Sequence, residues 1–473
     1  MKRASVDVAV IGTGTAGLAA YRAARAAGRT AALIEGGPYG TTCARVGCMP
    51  SKLLIAAAEA AHGVSRFDEF GLRLNGRLEV DGRAVMARVR RERDRFVGFV
   101  LRGIDEIPDA DRIRGYAAFV DDHTLQIDDG SRIVFRSAVI ATGSSPVVPP
   151  MLKPLGDRLV VNDDIFEWQT LPHRVAVFGP GVIGLELGQA LARLGVEVLM
   201  FGRGGSVGSF TDPSLRDYAV RTFGDEFYLD PDADVESVAR IEDGVRLSYR
   251  TRQGERIETV VDFAIAATGR APNVHRLGIG NTSLARDETG VPRFDRTTLQ
   301  CGASSIFIAG DVNNDVPLLH EAADEGRIAG ENAARFPVVQ AGTRRSPLAI
   351  VFTDPQIALV GARFGDLRAN RFVTGSVSFE DQGRARTMLR NKGLLHVYAD
   401  STSGRFLGAE MIGPDAEHMG HLLAWALQCG LTIDRMLELP FYHPVVEEGL
   451  RTALRDARAQ LQRPVATKIR AVG

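Results

Sequence analysis

The chain writes one local pattern twice, and that repetition narrows its possible folds more than any other feature. In the first copy Val6 to Ile11 reads as a strand. It runs into Gly12-Thr13-Gly14-Thr15-Ala16-Gly17, then a helical stretch from Leu18 to Ala27 that stops at Gly28. A second strand, Thr30 to Ile34, closes on Glu35. The glycines serve three different physical needs. Gly12 makes a tight turn, Gly14 lets the backbone approach a pyrophosphate, and Gly17 lets the helix lie against the strand. The helix N-terminus then turns its unpaired amides toward the phosphates. Glu35, 23 positions after Gly12, is placed to accept hydrogen bonds from ribose hydroxyls.

The second copy runs from a strand at Arg174 to Phe178, through Gly179-Pro180-Gly181-Val182-Ile183-Gly184, into a helix from Leu185 to Leu194. Gly195 ends that helix, and a strand follows from Val196 to Phe201. Each copy is later followed by an apolar strand ending in Ala-Thr-Gly, at Ala138 to Gly143 (with Thr142) and at Phe263 to Gly269. Two copies predict two dinucleotides; the plain alternative is a duplicated fold with one empty site. The copies differ where Glu35 stands. Its counterpart is Gly202, followed by Arg203. An acid suits a ribose diol, whereas a guanidinium suits a 2′-phosphate. The second site therefore leans to NADPH over NADH, unless Arg203 is merely a solvated loop residue.

Between the copies lies Gly40-Thr41-Thr42-Cys43-Ala44-Arg45-Val46-Gly47-Cys48-Met49-Pro50-Ser51-Lys52-Leu53. Pro50 suits the first position of a helix, and an Ala-rich run without breakers follows it. Cys48 is then at or just before a helix N-terminus, where the dipole favours a thiolate. Lys52, four residues on, shares its face. Such a pair can cycle between dithiol and disulfide; the plain alternative is two buried cysteines. Cys301 and Cys429 stand alone and read as buried core thiols.

The rest of the chain is less specific. Arg83 to Glu106 reads as a long amphipathic helix, and Gly115 to Ile127 and Arg132 to Ile140 read as strand-rich chain. Ile306-Phe307-Ile308-Ala309-Gly310-Asp311 is an apolar strand ending in an acid fit to bind ribityl or ribose hydroxyls, and His320 opens a helix from about Glu321 to Ala334. After a boundary near Arg344 to Pro347 come strands at Ile350 to Thr353, Arg371 to Phe379, Leu394 to Ala399 and Phe406 to Ile412, then a helix at Ala416 to Cys429. Last, Phe441-Tyr442-His443-Pro444 opens a helix to about Leu461, with Pro444 at its first position and Glu447 or Glu448 able to orient the His443 imidazole.

A length of 473 residues allows about three domains. A net charge of −1 argues against a nucleic-acid surface. No apolar run approaches a membrane span, and Met1 to Ser5 leads straight into the first strand, leaving no signal-peptide core, so a cytoplasmic location without a membrane partner is expected. The close cysteine pair lacks a second Cys/His pair nearby, which disfavours a metal site.

Together these motifs resemble the FAD-dependent pyridine nucleotide–disulfide oxidoreductases, most closely the dihydrolipoyl dehydrogenases. The resemblance spans nearly the whole chain. It implies an α/β fold with two Rossmann-like dinucleotide-binding domains and an α+β C-terminal dimerisation domain. The expected segments are 1–150 (FAD), 151–270 (NAD or NADP), 271–345 (return to the FAD/central domain) and 346–473 (dimerisation). FAD would be held by Gly12, Gly14, Gly17, Glu35, Lys52, Ala117, Thr142, Gly143, Asp311 and His320. The nucleotide would be held by Gly179, Gly181, Gly184, Glu186, Arg203 and Gly269. Cys48 would face the flavin and Cys43 would exchange with substrate. Lys52 would lie near flavin N5 and pair with Glu186. His443, held by Glu448, would be the acid/base, supplied by the other subunit of a homodimer.

The implied activity is oxidation of dihydrolipoamide, a lipoyl dithiol, by NAD+. The alternatives are an NADPH-dependent reductase of another disulfide, a quinone or a metal ion, and a non-catalytic flavoprotein subunit. Three departures stand out: the usual Gly-Gly-Thr-Cys reads Gly40-Thr41-Thr42-Cys43, Ala44-Arg45 replaces an Asn-containing pair, and Gly202-Arg203 resembles the Ala-Arg of mercuric reductases. Arg45, so near the disulfide, is expected to bear on which disulfide is accepted.

Overall fold

Val8, Ala9, Val10 and Ile11 are all buried, so the first strand is covered on both faces, as a continuous apolar run requires. In the computed structural model, which describes residues 3–462, it forms β1 (Arg3–Ile11). The outermost ends of the expected segments, Met1-Lys2 and 463–473, lie outside the described residues. Helix α1 (Thr15–Ala26) starts three residues earlier than the pattern predicts, because Gly14 serves as its N-cap. Strand β2 (Ala31–Glu35) runs parallel to β1, with Val10 opposite Leu33.

The chain divides into two compact units, one up to Pro172 plus Phe263–Arg344, the other His173–Asp262 plus Arg345 onward. The first is built on a seven-stranded sheet in the order β3 (Arg112–Arg114), β2, β1, β6 (Arg132–Ile140), β5 (Thr124–Ile127), β4 (Ala117–Asp121). On the edge away from β1, β6 serves two further partners. Its first half pairs antiparallel with β5, and its last residues pair in parallel with the strand Ile306–Ile308. Helix Leu319–Arg335 lies so close to α1 that a Cβ on Gly326 would sit 2.1 Å from the Ala16 carbonyl oxygen. Glycine is what permits that approach.

The cysteine segment of this unit forms α2 (Thr42–Val46) and α3 (Cys48–Ser65), and the predicted amphipathic helix is α4 (Gly82–Asp105). Pro50 is the third residue of α3 rather than the first. It is still in the first turn, where a missing N–H costs nothing.

In the second unit three strands run parallel: Arg174–Phe178, Glu197–Phe201 and Tyr228–Asp230. Helix Val182–Arg193 follows the glycine turn. The later part is a five-stranded antiparallel sheet of Leu348–Val351, Gln356–Gly361, Phe406–Gly413, Leu394–Asp400 and Phe372–Ser378, in that order. The strand Gln356–Gly361 is absent from the sequence reading. Its core, Ile357 to Val360, is wholly buried, and a short apolar run without alternation carries no strand period. Glu410 on this sheet is fully buried and satisfied, accepting from the Thr211, Asp212 and Phe364 amides at 3.0, 3.2 and 2.8 Å. The last helix is Glu448–Leu461, so Pro444 is not its first residue and His443-Pro444 belongs to the loop before it. Among the described residues no helix is long and apolar enough to cross a membrane.

Candidate active site

The glycines of the first turn divide into two kinds. Gly12 has φ +110°, and a Cβ there would lie 2.3 Å from the Ala141 carbonyl oxygen; one on Gly17 would lie 1.9 Å from that of Gly12. These two are glycine so that the chain can pack. A Cβ on Gly14 would meet nothing within 4 Å. Gly14 instead borders a cavity of about 610 Å³, lined also by Gly12, Thr13, Glu35, Ala117, Thr142 and Gly143. Glu35 is fixed by three donors: Oε2 accepts from Thr13 N (2.9 Å) and Oγ1 (2.8 Å), and Oε1 from Gly37 N (2.7 Å). A carboxylate has about four acceptor sites, so capacity remains toward the cavity.

Several wall residues escaped the sequence reading. Thr142 Oγ1 donates to the Asn273 carbonyl at 2.8 Å, and Asn273 Nδ2 donates to the Thr142 carbonyl at 3.0 Å. Arg270 Nε donates to Ser144 Oγ at 2.8 Å, and Ser144 Oγ donates to Asp311 Oδ2 at 2.9 Å. The chain after the second Ala-Thr-Gly is thus stapled to the chain after the first, and Asp311 is tied to the cavity wall through Ser144. The repeated tripeptide was the available signal for this. The Arg276 guanidinium lies over the Tyr116 ring at 3.8 Å, and both line the cavity. Arg45 lines it as well, whereas Cys43 lines a different pocket. His320 is the second residue of its helix, with Nε2 3.9 Å from Glu321 Oε1. Gly269 has φ +104°, and its carbonyl accepts from Val147 N at 2.9 Å.

Cys43 lies in α2 and Cys48 is the first residue of α3. The sulfurs are separate thiols. The Cys43 S–H donates toward Cys48, and that bond, with burial, holds the Cys43 thiol well above the usual range. Cys48 is exposed at the N-terminus of an 18-residue helix, the end that favours a thiolate. Lys52 Nζ lies 3.4 Å from Ser51 Oγ. Cys43 lines a second cavity, about 390 Å³, with mainly apolar walls that include Leu18, Met49, Phe96 and Phe99. Cys301 is buried as expected, but Cys429 is exposed: it caps the end of helix Ala416–Gln428 and is not a core thiol.

In the second unit Gly179 has φ +108° and donates its N–H to the Phe201 carbonyl at 2.8 Å, while Gly181 again borders open space. Gly184 and Glu186 are buried on the helix that follows, and Glu186 Oε1 accepts from Phe352 N at 2.9 Å. A Cβ on Gly202 would lie 2.4 Å from the Pro231 carbonyl oxygen. Arg203 is exposed, and among the described residues its guanidinium has no hydrogen bond or ion pair. Near the C-terminal helix His443 Nδ1 is 3.0 Å from Glu448 Oε2, with the histidine 80% exposed. Of the two acids in reach, Glu448 is the one engaged. Its Oε1 also accepts from Arg451 at 2.7 Å. Partial burial works to raise the Glu448 carboxyl, but the bonds from His443 and the Val445 amide, with the Arg451 charge, hold it below the usual range.

The pyridine nucleotide-disulphide oxidoreductase profile matches residues 6–326, and the dimerisation-domain profile of the same family matches 348–454. The chain belongs to this family. It is 32% identical to dihydrolipoyl dehydrogenase of Haloferax volcanii, over 96% of each chain. It is 30% identical to mercuric reductase of Shigella flexneri, over 95% of this chain and 80% of that one. In fold it is similar to the HOCl-induced flavoprotein disulfide reductase RclA of Escherichia coli, with a TM-score of 0.80 and 23% identity over 96% and 99% of the chains. As a pyridine nucleotide–disulphide oxidoreductase, the chain is an enzyme that works with FAD and NAD(P). Its architecture is two dinucleotide-type βαβ units with an α+β C-terminal domain.

Against the family pattern, Thr41 stands in for glycine yet keeps a glycine backbone, φ 57° and ψ 148°. That region costs a β-branched residue of order 1–3 kcal/mol. Thr41 Oγ1 offsets part of this by accepting from Ala44 N at 3.3 Å.

Proposed function

We propose that FAD occupies the cavity of the first glycine turn, NAD(P) binds at the second, and the Cys43–Cys48 pair exchanges with a small lipoyl-type disulfide or dithiol. The net reaction is dihydrolipoamide plus NAD+ to lipoamide plus NADH. The observation that carries this reading is the asymmetric placing of the thiols: Cys43 partly buried on a mainly apolar pocket, beside Cys48 exposed at a helix N-terminus. FAD, when bound, supplies two-electron transfer between nicotinamide and the cysteine pair.

The remaining chemistry belongs to side chains. A substrate thiolate attacks Cys43 in the Cys43–Cys48 disulfide, giving a mixed disulfide and releasing Cys48 as thiolate. The second substrate thiol, deprotonated, then displaces Cys43, which leaves as thiol and closes the substrate's disulfide ring. Each step needs a proton moved, and His443, contributed across a homodimer and oriented by Glu448, is suited to move it. Lys52 is assigned to the flavin side. Asp311 and His320 are assigned to FAD, the former held by Ser144.

A second reading, an NADPH-dependent reductase of another disulfide, is supported by Gly202 and Arg203: an acid cannot stand at Gly202 without moving Pro231, and a free guanidinium follows. Anaerobic titration with NADH and NADPH, then turnover with lipoamide and a disulfide panel, separates the two. Flavin reduction by either nucleotide and loss of lipoamide turnover in Cys43→Ser are expected. Intact turnover in that variant would refute the disulfide relay.

A further inference from the structure

We propose that Arg45 is an anion clamp for the diphosphate of FAD, anchoring the redox-cysteine segment to the cofactor. This rests on the reading that FAD fills the first cavity. Arg45 stands between the two cysteines, in the five-residue helix α2. One step of two residues turns a helical side chain by about 200°, so Arg45 and Cys43 face opposite ways. The two cavities record that division, Cys43 on one and Arg45 on the other. The Arg45 stem passes close to Gly40, where a Cβ would lie 3.0 Å from its Cδ.

The guanidinium is half-buried in the wall that also carries Gly12 and Gly14, and among the described residues it has no hydrogen bond or ion pair. Its charged neighbour is Asp163. Burial raises that carboxyl, and Arg270 opposes the rise more strongly than Arg45 does. Asp163 thus interacts more strongly with Arg270, and Arg45 borders the open cavity without an ion pair among the described residues. A half-buried cation without an anion is costly. The isoalloxazine, ribityl chain and adenine of FAD are neutral near pH 7, so its diphosphate is the only part that can answer the charge. Amides of the glycine turn can orient phosphate oxygens, but they bring no formal charge. A guanidinium brings the charge and a planar fork that matches phosphate geometry.

The test compares FAD and riboflavin binding to enzyme stripped of flavin, followed by flavin fluorescence. Arg45→Ala should weaken FAD by about 10- to 100-fold and leave riboflavin unchanged, and Arg45→Lys should recover part of the loss. An unchanged FAD affinity, or an equal loss for riboflavin, would overturn the proposal. So would rescue of Arg45→Ala by Asp163→Asn, since Arg45 would then serve only to balance that carboxylate. Gly14→Val separates this failure from failure of the underlying reading. If it binds FAD as the parent does, FAD is not in this cavity and both claims fall. If it loses FAD while Arg45→Ala does not, the clamp alone falls.

Discussion

The two glycine turns are alike in geometry and unlike where their second strands end. Gly12 and Gly179 have φ of +110° and +108°, and each donates its N–H at 2.8 Å to the strand beside it. Gly14 and Gly181 each border open space. Backbone approach to a phosphate is therefore provided for twice by the same means. After the second strand the copies part. Glu35 is a carboxylate held by Thr13 and Gly37, whereas Gly202 is pressed on the Pro231 carbonyl and followed by the exposed Arg203. Gly202 is thus more than a missing acid. It is a position from which side chains are excluded, and the side chain that follows it is a guanidinium.

That comparison breaks first if the two turns do not serve separate ligands. Gly14→Val should yield protein without flavin. Gly181→Val should keep its flavin spectrum but lose reduction by NADH and NADPH alike, read by anaerobic absorbance. Loss of flavin in both would end the distinction. Next in size, Arg203→Ala should lower kcat/KM for NADPH by about 10- to 100-fold, the worth of one charge-assisted hydrogen bond, and change NADH by less than about threefold. Equal losses would make Arg203 a solvated residue.

Gly202→Glu sharpens the same point through stability. The new Cβ meets a backbone oxygen, so we expect a loss of about 1–3 kcal/mol in urea unfolding and no clean switch to NADH. The smallest effect lies outside both turns. The native Glu448 carboxyl is below its ordinary value, so it adds stability fully present above the unfolded pKa, about 4.3, and lost as pH falls through the native pKa. Glu448→Gln should therefore be less stable than the parent near pH 7, and the gap should shrink in acid.

Much of this was legible because it is local. The strands Arg174–Phe178 and Ile306–Ile308 were read to the residue or nearly so, since apolar runs bounded by glycine turns carry their own period. The Cys48 helix start was also legible, from Pro50 and the Ala-rich run. The start of the last helix was not. A proline is compatible with a first helical position but equally with a loop, and Pro444 lies in the loop before Glu448. The direction in which Arg45 points was not legible either: nearness in sequence to Cys43 says nothing of facing, and helical rotation places the two on different cavities.

The sequence by itself determined the two βαβ units and the place of Cys48 at a helix start, because glycine's backbone freedom, strand and helix periods and proline's helix preferences act within a few residues. Only the tertiary structure decided what faces what. Pro231 closes the space at Gly202, Asn273 is stapled to Thr142 from 131 positions away, and Arg45 turns into the cavity of Gly14. Those outcomes depend on which distant segment passes alongside, and no local pattern encodes that passage.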